Sequence, residues 1–180
     1  MPHDPTRPPV VLAVGGHDPT GGAGIQADIE TLTALGCHAA TAVSCLTVQD
    51  TRDVSRIVPV DPRLLGEQIA AVRADLAPVV LKIGLIGDAP IADCLLDIVP
   101  AFAGPVVLDP VLAAGGGRDL ADDALTGAVV RLLPHLTLIT PNRAEARRLT
   151  GRAARTSVHS RRSGVMTTGS TIVTMSVRLV

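Results

Sequence analysis

The chain has 180 residues, of which 47% are hydrophobic, and its formal net charge is −1 at pH 7. This length suits one domain with a well-buried core, and no run reaches the ~18 uncharged apolar residues needed to cross a bilayer, which excludes the membrane as a partner. Tryptophan and tyrosine are absent and acidic residues slightly outnumber basic ones, which excludes the basic, aromatic-rich surface of a nucleic-acid-binding protein.

The first predicted unit is a strand, a glycine-rich loop and a helix. Residues 10–14 form a continuous run of β-branched and aliphatic side chains, which is typical of a strand buried on both faces. Residues 15–28 follow as a loop that opens a helix, and Gly36 ends that helix after about three turns. Glycines let the backbone approach a ligand closely and the helix start presents free N–H groups, so we expect an anion or a polar small molecule there.

The rest of the chain up to residue 151 alternates between strands and helices. Further buried strands are predicted at residues 39–46, 79–83, 106–108 and 137–139, with a short exposed strand or flap at 54–60. Helices are predicted after Asp61-Pro62, after Asp88, over residues 120–133 and after Asn142, where apolar residues recur at helical spacing. This alternation predicts an α/β fold, an open doubly wound and mostly parallel sheet with helices on both faces.

Unusual polar residues follow the predicted strands, at the edge of the sheet where doubly wound proteins bind ligands. Asp109 and Glu145, with Asn142, offer the oxygen ligands that Mg²⁺ takes alongside phosphates, or alternatively Asn142 and Glu145 form a helix capping box. Lys82, the only lysine, either meets a phosphate as a point charge or is simply solvated. Gln49 either presents a donor and an acceptor to a heterocycle or is an ordinary loop glutamine.

The glycine stretch can be compared with two phosphate-binding motifs. Residues 16–21 have the glycine spacing of G-x-x-x-x-G-K-[ST], but Gly22 and Ala23 replace the lysine and the hydroxyl residue, which excludes that nucleotide-binding loop. Residues 22–27 do fit G-x-G-x-x-[GA], so an NAD-binding oxidoreductase is an alternative. Against it, that fingerprint belongs directly after the first strand, whereas Gly22 comes eight residues after Val14.

Five segments together resemble a known family of kinases. They are residues 15–28 (Gly-Gly-His-Asp-Pro-Thr-Gly-Gly-Ala-Gly-Ile-Gln-Ala-Asp), 47–51 (Thr-Val-Gln-Asp-Thr), 82–86 (Lys-Ile-Gly-Leu-Ile), 108–111 (Leu-Asp-Pro-Val) and 140–146 (Thr-Pro-Asn-Arg-Ala-Glu-Ala). In this order they resemble the hydroxymethylpyrimidine/phosphomethylpyrimidine kinases of thiamine biosynthesis, which belong to the ribokinase-like superfamily. The resemblance covers residues 10–151 and moves the glycine stretch from a phosphate cradle to the acceptor side of the site.

The resemblance implies ATP-dependent, magnesium-assisted phosphorylation of 4-amino-5-hydroxymethyl-2-methylpyrimidine and then of its monophosphate. Carried over position by position, it assigns the pyrimidine to Asp28 and Gln49 with the backbone near Gly16, and apolar walls to Leu85 and Val111. Pyridoxal kinases share much of this layout, so a pyridoxal-type kinase is an alternative, and a non-catalytic pyrimidine-binding remnant is another.

The same resemblance assigns the phosphate side of the site. Asp109 and Glu145 are expected to hold magnesium, and Asn142 and Glu145 the ATP phosphates. Lys82 is expected to contact the nucleotide phosphates as a point charge. Phosphoryl transfer needs mainly positioning and charge neutralisation, which these residue types supply.

The resemblance fails after residue 151. The family's second glycine motif, Gly-Thr-Gly-Cys, cradles the transferring phosphoryl group and ends in the proposed base, whereas residues 168–171 lack its second glycine and its cysteine. Residues 152–180 carry a net charge of +5 and residues 1–151 one of −6. We expect residues 1–151 to be the N-terminal part of a kinase domain, residues 152–180 to be a divergent or frameshifted, poorly ordered basic tail, and catalysis to be impaired.

Location and assembly follow from smaller signals. Residues 1–9 show no export signal, so we expect a cytoplasmic protein. Cys37, Cys45 and Cys94 lack C-x-x-C spacing, which predicts small buried hydrophobic residues rather than a zinc site or disulfides. An incomplete sheet would leave an apolar edge open, so we expect a homodimer or aggregation.

Overall fold

The computed structural model describes residues 7–114 and 118–151. The expectations for the extreme N-terminus, for the glycine run at 115–117 and for the basic tail at 152–180 concern positions outside the described residues. Within the described part, strands and helices alternate, and they are named in chain order: β1 (Val10–His17), α1 (Gly24–Ala34), β2 (His38–Gln49), β3 (Val54–Pro59), α2 (Pro62–Leu76), β4 (Val80–Ile83), α3 (Ala89–Ile98), β5 (Val106–Leu108), α4 (Asp123–Leu132), β6 (Leu138–Ile139) and α5 (Arg143–Thr150). Two 3₁₀ turns, Val99–Ala101 and Leu133–His135, follow α3 and α4.

The strands form one six-stranded sheet in the order β3-β2-β1-β4-β5-β6. All neighbours are parallel except β3, which pairs antiparallel with β2 at one edge. The chain moves from β1 to β2 in one direction and from β4 through β6 in the other, so right-handed crossovers place α1 on one face and α3 and α4 on the opposite face. The predicted doubly wound α/β fold is therefore confirmed.

The main core lies between the sheet and the row of helices α2, α3 and α4. Every second residue of the central strands contributes to it, for example Leu81 and Ile83 of β4, and the intervening Lys82 faces the other way. The core residues of the helices include Leu65, Ile69, Ile91, Leu95, Leu125, Val129 and Leu132. None of the described helices is long and apolar enough to cross a membrane.

The structure corrects two predicted boundaries and defines the flap. Residues 15–17, predicted as loop, continue β1, because Gly16 pairs with Cys45 and His17 with Leu46 beyond a bulge. The helix predicted over 120–133 begins three residues later, where the side chain of Asp122 accepts a hydrogen bond from the backbone N–H of Leu125. The predicted flap at 54–60 is the edge strand β3.

Asp61 is the N-cap of α2, as its position before Pro62 predicts. Its Oδ1 accepts a hydrogen bond from the backbone N–H of Arg63 at 2.8 Å. Changing Asp61 to Ala removes this acceptor and should lower the free energy of unfolding by about 1 kcal/mol, measured by urea denaturation. Asp61→Asn keeps an acceptor and should retain most of the stability. An equal loss in both variants would show that the carboxylate charge matters and the cap does not.

Candidate active site

A buried aspartate organises the loop between β1 and α1. Asp18 is 4% exposed, and its Oδ1 accepts hydrogen bonds from the backbone N–H and the hydroxyl of Thr20, both at 2.8 Å. Its Oδ2 accepts from the backbone N–H of Ala23 at 2.9 Å, at the start of α1, where Ala23 itself offers no capping side chain. The backbone N–H of Asp18 donates to Gln26 Oε1 at 3.2 Å. The sequence placed Asp18 at the edge of the sheet but did not predict this structural role of its side chain, although Asp-Pro-Thr-Gly is a typical turn signal.

Gly16 lies at the end of β1, crowded by its neighbours. A Cβ atom at this position would lie 3.0 Å from Cys45 Sγ and 3.0 Å from Leu85 Cδ2, so a larger residue would push both side chains away. The carbonyl of Leu85 accepts a 2.6 Å hydrogen bond from the buried hydroxyl of Ser44. The structure therefore brings Gly16 and Leu85, two of the predicted site residues, into one packed corner.

Two buried hydroxyls that sequence reasoning missed hold the strand ends together. Ser44 ties β2 to the segment after β4, and Thr47 Oγ1 donates to the carbonyl of His17 at 2.8 Å. Thr47 lies two residues before Gln49, which is half-buried at the end of β2. Within the described part of the chain, the side chain of Gln49 forms no hydrogen bond, and its contact with the pyrimidine stays a prediction. Small polar residues inside an apolar strand were the available signal for Ser44 and Thr47.

Lys82 forms an ion pair with Asp28. Lys82 Nζ lies 2.8 Å from Asp28 Oδ2, and the two side chains are 26% and 18% exposed. The pair joins β4 to α1 across 54 positions of sequence. Lys82 is therefore not simply solvated. In this structure its ammonium forms an ion pair with Asp28, a residue predicted to bind the acceptor.

Asp109 follows β5 beside this ion pair. Its backbone N–H donates to the carbonyl of Ile83 at 2.8 Å, which fixes it next to the end of β4. Burial raises the pKa of Asp109, attraction to Lys82 opposes that rise, repulsion from Asp28 adds to it, and a hydrogen bond from Thr140 lowers it. Lys82 therefore pairs directly with Asp28 and also attracts the carboxylate of Asp109 electrostatically.

Glu145 completes the row of carboxylates and also builds the start of α5. Its Oε2 accepts from the backbone N–H of Asn142 at 2.8 Å, and Asn142 Oδ1 accepts from the backbone N–H groups of Ala144 and Glu145 at 2.9 and 3.0 Å. The capping box, one of the two alternatives predicted from the spacing, is therefore present. Burial raises the pKa of Glu145, and two backbone hydrogen bonds, one of them from Leu112, lower it.

The charged residues fit magnesium only in the way that nucleotide-dependent enzymes use it. Among the described residues, no three His, Cys, Asp or Glu side chains stand close enough together to hold a metal ion by themselves. Magnesium usually keeps several waters and is bound through one or two carboxylates plus substrate phosphates. Asp109 and Glu145 offer such a partial ligand set, because repulsion from Asp109 contributes to the raised pKa of Glu145.

Several predicted site residues thus lie at the carboxyl ends of neighbouring parallel strands and act on one another electrostatically. Electrostatic contact runs from Asp28 through Lys82 to Asp109 and on to Glu145. Val111, a predicted apolar wall, is half-buried just after Asp109 and donates its N–H to the carbonyl of that residue at 2.9 Å. The arrangement gathers three carboxylates and one ammonium, which are groups that can form hydrogen bonds or ion pairs with a polar ligand.

Comparison with known proteins identifies the family. The family model for phosphomethylpyrimidine kinase matches residues 18–176. The chain is 37% identical over 145 residues to a hydroxymethylpyrimidine/phosphomethylpyrimidine kinase of Rhizobium meliloti, covering 80% of this chain and 54% of that protein. The chain therefore spans about half the length of the curated relatives it matches.

Solved structures lead to the same group. The phosphomethylpyrimidine kinase of Clostridium difficile superposes with a TM-score of 0.76 at 29% identity, covering 82% of this chain and 65% of that one. A pyridoxal kinase of Staphylococcus aureus in complex with pyridoxal superposes with a TM-score of 0.71 at 28% identity, covering 80% of this chain and 54% of that one, and the same kinase has been solved with ADP and with AMP-PCP. On its fold, its site and these matches, the chain belongs to the phosphomethylpyrimidine kinase family.

Proposed function

We propose that this chain carries the acceptor side of an ATP-dependent kinase that phosphorylates 4-amino-5-hydroxymethyl-2-methylpyrimidine and its monophosphate. The observation that carries the proposal is the line of charges from Asp28 through Lys82 to Asp109. One end lies beside the glycine stretch of β1 and α1, and the other follows β5. Family membership supports the reaction class, and these charges support the proposal that the acceptor binds at one end and the nucleotide at the other.

The acceptor lies at the Asp28 end in this proposal. The carboxylate of Asp28 accepts an N–H of the aminopyrimidine, Gln49 contacts the ring edge, and the backbone at Gly16 lies beneath it. Leu85 and Val111 exclude water from the ring faces. These contacts position the hydroxymethyl group, which is what phosphoryl transfer chiefly requires of a protein.

The nucleotide and magnesium lie at the Asp109 end. Asp109 and Glu145 hold the metal ion together with the phosphates, and Asn142 lies beside them at the start of α5. The metal, when bound, neutralises phosphate charge. The pyridoxal kinase neighbour solved with ADP and with AMP-PCP supports nucleotide use for the fold. Cytoplasmic location and a homodimer complete the proposal.

Calorimetry with the full chain tests the acceptor site. The pyrimidine should bind, and Asp28→Asn should weaken binding about tenfold, because a charge-assisted hydrogen bond is replaced by a neutral one. Asp93→Asn is the matched control, since Asp93 forms an exposed ion pair with Arg131. Equal affinity in Asp28→Asn and the wild type would contradict the assignment of Asp28.

Slow phosphoryl transfer by this chain alone is a separate part of the proposal. It rests on the lack of a Gly-Thr-Gly-Cys segment in the 180 residues, since lost phosphate donors cost several kcal/mol of transition-state stabilisation. A coupled ATPase assay with the pyrimidine as acceptor measures it. Turnover at the rate of an ordinary kinase, on the order of 1–100 per second, would contradict this part and leave the binding proposal intact.

A pyridoxal-type kinase is the second candidate, favoured by the superposition on the S. aureus enzyme solved with pyridoxal. Pyridoxal and the aminopyrimidine differ in what they present to Asp28: the aminopyrimidine brings an amino group, whereas pyridoxal brings a phenolic hydroxyl. Titrating each ligand into the same preparation compares them directly. Tighter binding of pyridoxal would replace the first candidate by the second.

A further inference from the structure

The Lys82–Asp28 pair differs from an ordinary surface ion pair. Its side chains are mostly buried, whereas those of the Arg131–Asp93 pair are each more than half exposed. Breaking an exposed ion pair changes stability little, because water screens the two charges. A mostly buried pair instead fixes both side chains and sets the local charge. The Lys82–Asp28 pair therefore determines what charge a ligand bound beside it meets.

Gly84 gives the ammonium of Lys82 its place. A Cβ atom at position 84 would lie 2.9 Å from Lys82 Nζ, so a side chain there would collide with the ammonium. Gly84 is itself held in the sheet edge, because its backbone N–H donates to the carbonyl of Val14 at 2.8 Å. The lysine thus lies against the backbone at the end of β4 and reaches Asp28 from there.

Asp28 uses one carboxylate oxygen for the ion pair and keeps the other. Oδ2 receives Lys82, and no other hydrogen bond to the Asp28 side chain is found within residues 7–114 and 118–151. An ionised carboxylate has acceptor sites on both oxygens, so Oδ1 remains able to take an N–H from a ligand. The pair as a whole is electrically neutral and is still a hydrogen-bond acceptor.

Resting on the proposed function, we propose that Lys82 is a positioning residue that makes the acceptor site take the aminopyrimidine ring as a neutral molecule. A neutral ring brings an amino N–H to Oδ1 of Asp28, which the Lys82–Asp28 pair can accept without excess charge. Without Lys82, the unpaired carboxylate would favour a ring that carries a proton, because a cationic ring forms an ion pair with it. The lysine therefore sets the charge state of the acceptor.

The other charged groups near the pair are acids, so they favour a protonated ring, as the loss of Lys82 does. Asp109 faces the pair from the end of β5, and Glu145 lies beyond it at the start of α5. Both are carboxylates, and Lys82 is the one cation among the described residues that acts on Asp109. Removing the lysine thus leaves a cleft of acids alone, which strengthens its preference for a protonated ring.

The test is calorimetric titration of the full chain with 4-amino-5-hydroxymethyl-2-methylpyrimidine as the pH is lowered through neutrality. Wild-type affinity should stay constant and then weaken where the ring itself takes up a proton. In Lys82→Met the sign should reverse, with affinity rising as pH falls by up to about tenfold per pH unit, the limit for one linked proton. Lys82→Arg keeps the cation and should behave as the wild type. If Lys82→Met does not fold, Lys82→Gln takes its place with the same expected reversal.

Two further variants serve as controls, and three results would contradict the inference. Arg131→Met makes a matched cation-to-methionine change at an exposed pair and should leave the wild-type profile. Adding Asp28→Asn to Lys82→Met should abolish the reversal, whereas a reversal that persists would trace it to Asp109 and overturn the inference. A wild type that binds the ring and a Lys82→Met variant with the same pH profile would overturn the inference alone. A wild type that binds no pyrimidine at any pH would overturn the proposed function and the inference together.

Discussion

Replacing Gly24 with alanine is expected to destabilise the protein by more than about 3 kcal/mol. Gly24 is the first residue of α1 and has a φ of +61°, a conformation that costs alanine about 1 kcal/mol. A Cβ atom there would also overlap the carbonyl oxygen of Gly16 and lie 3.3 Å from the backbone nitrogen of Asp18. Both contacts are backbone atoms, so neither can move without shifting β1 or the loop. Urea denaturation measures the change.

Gly21 is the matched control for this prediction. It lies in the same loop with a φ of +78°, but a Cβ atom there would have nothing within 4 Å. Gly21→Ala should therefore show only the conformational cost, about 1 kcal/mol. Similar losses of stability in the two variants would mean that backbone strain alone causes the loss, and that the close approach of α1 to β1 adds nothing to it.

The same close approach positions Asp28, which belongs to the proposed acceptor site. Gly24 lets the first turn of α1 lie on the end of β1, and Asp28 follows one turn later on that helix. The ion pair of Asp28 with Lys82 then fastens α1 to β4. A change that lifts α1 off β1 is therefore expected to weaken pyrimidine binding as well as stability, even though Gly24 lies outside the predicted set of site residues.

Local pattern was enough to predict most of the fold. Apolar runs marked the buried strands, and Asp61, Asp88 and Asn142 marked helix starts, because strand burial and helix capping depend on residues close in sequence. Residues 15–17 were wrongly predicted as loop, since glycine has no strand preference of its own. Their strand conformation comes from pairing with β2, nearly thirty positions away.

The positions of the candidate site residues in the fold were predictable from the sequence, but the contacts between their side chains were not. The edge of the sheet that collects Asp28, Lys82 and Asp109 follows from the parallel topology. That Lys82 pairs with Asp28 depends on the side-chain geometry of α1 and β4, which no spacing in the sequence encodes. Ser44 and Thr47 were missed for the same reason, because each hydroxyl donates to a carbonyl at least thirty positions away.

Asp109→Asn should have the largest effect on phosphoryl transfer, with opposite effects on activity and stability. In the proposed role of Asp109 as a magnesium ligand, its replacement weakens the hold on the metal that neutralises phosphate charge, so the transfer rate should fall at least about a hundredfold in a coupled assay. The ligand-free protein should nevertheless be as stable as the wild type or more so, because burial and repulsion from Asp28 disfavour the charge of Asp109. Asp93→Asn, at an exposed ion pair, is the matched control and should change neither.

The pH dependence of stability follows from the raised pKa of Asp109. Because the folded-state pKa lies above the ordinary value of 3.8, the contribution of Asp109 to stability is fully present below that value and is lost as the pH rises through the raised one. Asparagine does not ionise, so the stability of Asp109→Asn relative to the wild type should increase over that pH window. The pKa of Glu145 is also raised, but this residue is present in both proteins and its effect cancels in the comparison. Adding magnesium and ATP should raise the melting temperature of the wild type more than that of the variant, because the variant keeps Glu145 but lacks the other proposed carboxylate ligand. Equal thermal shifts would show that Asp109 does not hold the metal, and a stability difference that shrank with pH would contradict the electrostatic explanation.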